Sequence, residues 1–171
     1  LSNVNLIGLD LSDVDLRGAM LVVANLYTTI LNGANLRGAN LERANFVSSQ
    51  CVGADLSSTN ISNTPFNNAN LAGANLSQAY TTFVAGNGAA PRFNGTQLQG
   101  ANLAGIYAEY VDFNEVDLTG ATLVGARLPG VDFFSTNLTN ADCRNANFRS
   151  SRITDVTLDG ADLRGADIAG V

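Results

Sequence analysis

The hydrophobic positions of this 171-residue chain recur every five residues with few lapses. Each five-residue unit, or pentad, has a large apolar residue at its centre (position i) and a small or β-branched residue at i−2, and i−1 is usually Asn or Asp. An α-helix would spread such centres around its whole surface, and a flat strand would place successive centres on opposite faces. The period therefore predicts an all-β chain that bends once per pentad, with i−2 and i inward and i−1 outward.

The glycines indicate where the bends lie. Fifteen of the 17 glycines stand at position i+2, and the two exceptions are Gly86 and Gly88. Glycine adopts positive φ at little steric cost, which suits it to tight turns. Coils closed by such turns stack on one another, so the sequence predicts a β-solenoid.

The aromatic centres indicate the length of one coil. Phe93, Phe113 and Phe133 are spaced by 20 residues, and Phe46 and Phe66 have the same spacing. Because identical rings one coil apart stack favourably, we predict aromatic ladders and four pentads per coil. The 32 pentads then make about eight coils. Each side of a coil contributes one large and one small inward side chain, which leaves no pocket in the interior.

The repeat fails within Ala79–Gln97, "AYTTFVAGNGAAPRFNGTQ". Leu76 and Phe93 are 17 residues apart, which is three pentads plus two, so we predict a register break near residues 81–92. Phe83 fits the second register, and Pro91 takes a small-residue position. The first interpretation is a two-residue bulge within 84–91. A functional loop and a seam between two joined repeat proteins are the alternatives.

This break divides the chain into two repeat blocks. We expect the blocks to form one continuous solenoid. The predicted boundaries are 1–82 for the first block, 83–92 for the break and 93–171 for the second block.

The stretches "GANLRGANLERANF" and "GADLRGADIAG" carry a specific resemblance. Their A(D/N)LXX pattern resembles the pentapeptide-repeat family and extends over about nine tenths of the chain. The resemblance implies a right-handed quadrilateral β-helix with four pentapeptides per coil.

Composition argues against several classes of function. Charged residues make up 14% of the chain, the net charge is −6, and the cations are nine Arg with no Lys. Such a chain is poorly suited to direct binding of nucleic-acid phosphates. The longest apolar run, Ala19–Ala24, is too short to span a membrane.

The sequence also offers little for catalysis. It has no His, so a nucleophile would lack its usual base. Cys51 and Cys143 stand at pentad centres, where we expect them to fill the core. We therefore predict no catalytic residue, no cofactor site and no metal site.

One acidic face is the candidate interaction surface. Folding the pentads into four faces places Asp112, Glu115, Asp132 and Asp155 beside the aromatic centres, together with Arg92 and Arg152. The resemblance implies that a family member could imitate B-form DNA and bind DNA gyrase, protecting it from quinolones. That mimicry needs a dense negative field. Because the acidic residues here alternate with arginines, we favour a non-enzymatic structural or interaction protein with an unknown protein partner, and keep the gyrase regulator as the alternative.

Two further expectations concern assembly and location. The chain begins and ends within the repeat, so its outer coils look uncapped, and unpaired edges favour stacking. We expect either end-to-end association of copies or further terminal residues that supply caps. The resemblance favours the bacterial cytoplasm, with a lumenal or periplasmic location left open.

Overall fold

The chain forms a stack of coils held together by single-residue parallel β-bridges. The structure is a computed structural model that describes residues 1–82 and 90–171, and in these residues it contains neither a helix nor a strand longer than one bridged residue. Bridged residues occur at every fifth position from Asn5 to Tyr80 and from Arg92 to Asp167. They are the i−1 residues, and two-residue turns separate most of them.

Each coil binds the next through its backbone. Away from the break, every bridge joins residues 20 positions apart, as Asn25 with Asn45. The Leu26 N–H donates to the Asn45 carbonyl at 2.8 Å, and the Asn45 N–H donates to the Ala24 carbonyl at 2.9 Å. This parallel ladder is the β-solenoid that the five-residue pattern predicts.

Position i+2 has a positive φ in every pentad of the described residues. Fifteen glycines there have φ between 63° and 75°, and seventeen other residues have φ between 52° and 59°. The N–H of the i+2 residue donates to the next coil, as from Gly38 to the Ser57 carbonyl at 2.9 Å. The turn prediction is confirmed. The stack imposes this turn even where a side chain makes it unfavourable.

Val23 provides a test of this strain. It is a β-branched residue at φ 58°, a conformation that disfavours it by about 1–2 kcal/mol. We expect Val23→Gly to raise the free energy of unfolding by about 0.5–1 kcal/mol, since glycine removes the strain but adds chain entropy. Gly38→Ala is the matched control: its φ is +68° and an added Cβ meets nothing within 4 Å. It should lower stability by about 1 kcal/mol through strain alone. Urea titration of both variants checks the two opposite signs, and equal signs would contradict the account.

The core is filled by inward side chains and contains a continuous ring stack, in which five rings share one column and the sixth, Phe148, belongs to the neighbouring column. Successive ring centroids lie 5.0–5.8 Å apart, and the last contact is edge-to-face at 5.2 Å. The rings follow the order Phe46, Phe66, Phe93, Phe113, Phe133 and Phe148. The predicted ladders are confirmed, and the structure joins them into a single stack.

The coil that contains the break is longer than the others. Pro65 pairs with Arg92 and Tyr80 pairs with Tyr107, both 27 positions apart, so this coil has seven extra residues. The interpretation as a two-residue bulge is therefore wrong. Seven extra residues equal one pentad plus two residues, so the five-residue pattern of the sequence shows only a shift of two. The Phe66 and Phe93 rings still stack at 5.0 Å with 5° between their planes, so the extra residues leave the ring stack intact.

Other predictions around the break have mixed outcomes. Pro91 is buried, as expected for a small-residue position. The position predicted for Phe83 lies outside the described residues.

Candidate interaction surfaces

Asp112 and Asp132, the core of the predicted acidic face, are neighbours in one outward column. They form a bridged pair, with Arg92 one coil before them and Arg152 one coil after them. The Arg152 Nε lies 3.3 Å from Asp132 Oδ1, and its guanidinium carbon lies 5.7 Å from the centre of the Phe134 ring. Along this column, an arginine is followed by two aspartates and then by a second arginine.

The oxygens of these carboxylates are partly used by the fold. Asp112 Oδ1 accepts the Asn114 N–H at 3.0 Å, and its Oδ2 accepts from Asn94 Nδ2 at 2.9 Å. Asp132 Oδ1 accepts the Phe134 N–H at 3.2 Å. Each acid thus orders the turn that follows it, which is how short polar side chains stabilise turns.

Glu115 and Asp155 lie at the adjoining corner. Both occupy turn positions with positive φ, 58° and 55°, and both are exposed. They are two coils apart, with Ser135 at the equivalent position between them. The structure therefore brings Asp112 and Asp132 together and leaves Glu115 and Asp155 separated from each other.

A second charged face is neutralised by ion pairs. Arg144 Nη2 lies 2.7 Å from Asp142 Oδ2, and Arg144 Nε lies 3.8 Å from Asp162 Oδ2. Hydrogen bonds from the Arg164 side chain and backbone lower the pKa of Asp162 to about 2. Pairs this exposed contribute little to stability.

Cys51 and Cys143 fill the core as predicted. Burial raises the pKa of each thiol to about 12, so neither forms the thiolate that nucleophilic attack requires. In the part of the chain that the structure describes, His, Cys, Asp and Glu side chains form no cluster of three that could hold a metal ion. Within the same residues, no helix has the length and hydrophobicity to cross a membrane.

A surface that the sequence interpretation missed carries three of the four tyrosines. We define the Tyr–Arg surface as Tyr80, Tyr107, Tyr110, Arg92 and Arg127. Tyr80 and Tyr107 are a bridged pair with 41% and 38% of their surface exposed, and Tyr110 at the following turn is 70% exposed. Tyr107 is in turn bridged to Arg127. The seven extra residues hid this alignment, because a 20-residue period does not match Tyr80 with Tyr107.

A small cavity adjoins this surface at the corner of the coil that contains the break. Its volume is about 120 Å³, and its lining is Asn63, Pro65, Ala90 and Arg92. Of these residues, Asn63 and Arg92 have side chains that can donate hydrogen bonds. The cavity therefore suits a small group that accepts hydrogen bonds.

Comparison with protein families agrees with this fold. A family described as pentapeptide repeats matches residues 1–38, 24–63, 49–80, 96–133 and 132–168. The chain belongs to the pentapeptide-repeat family. No curated protein sequence matches it significantly.

Several solved structures are similar to the chain. A trypsin-treated variant of QnrB1, a plasmid-mediated fluoroquinolone resistance protein, matches with a TM-score of 0.75 and 22% identity over 98% of this chain and 86% of QnrB1. HetL, involved in heterocyst differentiation regulation in the cyanobacterium Nostoc sp. strain PCC 7120, has a TM-score of 0.40 and 23% identity over 96% of this chain and 87% of its own. A pentapeptide repeat protein of the Arabidopsis thaliana thylakoid lumen has a TM-score of 0.41 and 30% identity over 68% and 66%. The likeness to the QnrB1 variant supports the β-helical fold.

Proposed function

We propose that this protein is a non-enzymatic structural or interaction protein whose outward columns bind a protein partner. The supporting observation is that the inward positions of the central coils, from Leu21 to Phe148, hold packed side chains. Catalysis and small-molecule binding generally need a concave site with convergent polar groups. The chemistry of this rod instead lies in its outward i−1, i+1 and i+2 side chains, which suit recognition of another macromolecule.

The proposed scaffold is a right-handed quadrilateral β-helix of four pentapeptides per coil and about eight coils. The 20-residue spacing of the bridges supports four pentapeptides per coil. The stacking of Phe66 on Phe93 supports one continuous solenoid across both blocks, 1–82 and 93–171. Such a scaffold presents its outward side chains in straight columns, and successive residues of one column are separated by one coil, about 4.8 Å.

Binding is tested by display of protein fragments. A phage library of bacterial genomic fragments is selected against the immobilised full chain, with a chain unfolded in urea as the control surface. We expect a small set of fragments to be enriched repeatedly on the folded protein alone. If no fragment is enriched over the unfolded control, the proposed function is wrong.

A regulator of DNA gyrase that imitates DNA is the second candidate. The specific observation in its favour is the fold shared with the QnrB1 variant. The charges of the acidic face argue against DNA mimicry, because Arg92 and Arg152 flank Asp112 and Asp132 and weaken the negative field. We therefore expect no effect on gyrase.

A supercoiling assay separates the two candidates. Purified DNA gyrase is assayed with the protein at up to micromolar concentration, with and without a fluoroquinolone, and QnrB1 serves as the positive control. Inhibition of supercoiling, or protection from the drug, would favour the gyrase regulator. Loss of that effect in the double variant Asp112→Asn/Asp132→Asn would then assign it to the acidic face.

A further inference from the structure

We propose that Asn32 and Asn94 are modification sites: the stacked coils suppress deamidation of these two asparagines, and the reaction begins when neighbouring coils separate. Each asparagine is followed by a glycine, Gly33 or Gly95. Because glycine has no side chain to hinder attack on the asparagine, an Asn–Gly pair is the most reactive sequence for deamidation. A third pair, at residues 87–88, lies outside the described residues.

Deamidation is a ring closure within the chain, here between Asn32 and Gly33. After the Gly33 N–H loses its proton, the backbone nitrogen attacks the side-chain carbonyl carbon of Asn32. A C–N bond forms, and the amide nitrogen of Asn32 takes up a proton and leaves as ammonia. Water then opens the five-membered imide at either carbonyl. The product is aspartate, or isoaspartate, whose main chain is one carbon longer.

The attacking nitrogen at Asn32 is engaged by the next coil. The Gly33 N–H donates to the Val52 carbonyl at 2.9 Å, so the proton that must be removed is held in a hydrogen bond. The Ala34 N–H donates to the Leu31 carbonyl at 3.0 Å across the same turn, and this bond resists the backbone rotation that ring closure requires. Gly33 is exposed, so its protection comes from hydrogen bonds and not from burial.

The Asn32 side chain is engaged by the same residue of the next coil. The Val52 N–H donates to Asn32 Oδ1 at 3.0 Å, across 20 positions of the sequence. Val52 thus holds both reacting groups of this Asn–Gly pair, one through its N–H and the other through its carbonyl. The two groups are released together when the two coils separate.

Asn94 has a similar arrangement with different partners. The Gly95 N–H donates to the Asn114 carbonyl at 3.1 Å. Asn94 Nδ2, the nitrogen that would leave, donates to Asp112 Oδ2 at 2.9 Å, and Asn94 Oδ1 accepts from Asn67 Nδ2 at 3.3 Å. The side chain is therefore bonded to the coils on both sides, and we expect Asn94 to react more slowly than Asn32 in the folded protein.

The test compares deamidation of the full chain in its folded and unfolded forms. The protein is incubated at mildly alkaline pH, in buffer and in urea, and then digested with trypsin, which cleaves after arginine. The three Asn–Gly pairs fall in separate peptides, 18–37, 44–92 and 93–127, and mass spectrometry measures the deamidated fraction at each asparagine. At Asn32 and Asn94 we expect the reaction to be at least about tenfold slower in buffer than in urea, since it requires local opening of the fold.

Val52→Pro tests the arrangement at Asn32. Proline removes the Val52 N–H, and with it the bond to Asn32 Oδ1, but leaves the carbonyl that accepts from Gly33. The fold accepts proline at this position of a pentad, as Pro129 shows. Deamidation in buffer should accelerate about threefold or more at Asn32, the factor expected for one hydrogen bond of modest net strength. The rate at Asn94 should not change.

Val47→Pro is the matched control, at the same pentad position of the same coil. The Val47 N–H donates to Asn45 Oδ1 at 3.1 Å, within its own pentad, so its loss should leave the rates at Asn32 and Asn94 unchanged. Far-UV circular dichroism with urea unfolding verifies that both variants fold, and if either does not, the comparison of buffer with urea decides alone. Equal rates in buffer and urea would overturn the inference. So would a folded Val52→Pro variant that deamidates Asn32 no faster than the wild type.

Discussion

Replacing Phe113 with Ala is expected to lower the free energy of unfolding by about 3–5 kcal/mol. The ring is fully buried in the middle of the stack, with the Phe93 centroid at 5.1 Å and the Phe133 centroid at 5.8 Å. Its removal leaves a cavity that the backbone ladders on both sides keep from collapsing. It also removes two ring contacts, each worth about 0.5–1.5 kcal/mol beyond the buried area.

Urea unfolding monitored by far-UV circular dichroism measures this loss. Phe134→Ala is the control, because Phe134 is the next residue but lies outside the core, with Arg152 near its ring. Its loss should stay below about 1 kcal/mol, the range of an exposed cation–π contact. Similar losses for the two variants would show that the ring stack does not dominate stability.

Replacing Ala121 with Leu is expected to destabilise the protein by about 3 kcal/mol or more. Ala121 is fully buried, and the Thr122 N–H, on the residue after it, donates to the Ala101 carbonyl at 2.9 Å. It belongs to a column of small inward residues that follow one another coil by coil: Ala34, Ala54, Ala74, Ala101, Ala121, Ala141 and Ala161. A Leu in this column must displace neighbours whose backbones are held by the bridges.

The neighbouring position provides the control for this substitution. Thr122 is the outward i−1 residue of the same pentad and is only partly buried. Thr122→Leu adds apolar volume one residue away but on the surface, where most substitutions change stability by about 0.5 kcal/mol or less. Thermal and urea unfolding of the pair measure the difference. Equal stability of the two variants would mean that the interior can accommodate a larger side chain, which would contradict a tightly packed core.

Much of the fold could be predicted from the sequence because its rule is local. Within one pentad, the alternation of inward and outward side chains follows from the backbone, and glycine marks the turn at i+2 in fifteen of the pentads. The buried positions of Leu26, Cys51 and Cys143 could therefore be predicted without knowing their neighbours. The ring ladders could be predicted as well, because one coil has 20 residues on either side of the break.

The candidate surfaces depended on information that this local rule lacks. The sequence identified Asp112 and Asp132 as members of one column, because no break separates them. It did not identify Tyr80 and Tyr107 as neighbours, since they are 27 residues apart. Neither did it show that Val23 and Tyr110 would be forced to positive φ, because that demand comes from hydrogen bonds to the next coil.

The sequence by itself determined which way each side chain points, the turn in each pentad and the family to which the chain belongs. The tertiary structure alone decided that the break contains seven extra residues, that the two ladders form one ring stack, and that tyrosines and arginines meet beside a cavity. The physical reason is that contacts in a solenoid run along its axis. The partner of each residue is set by the number of residues in the intervening coil, which a five-residue rule does not determine.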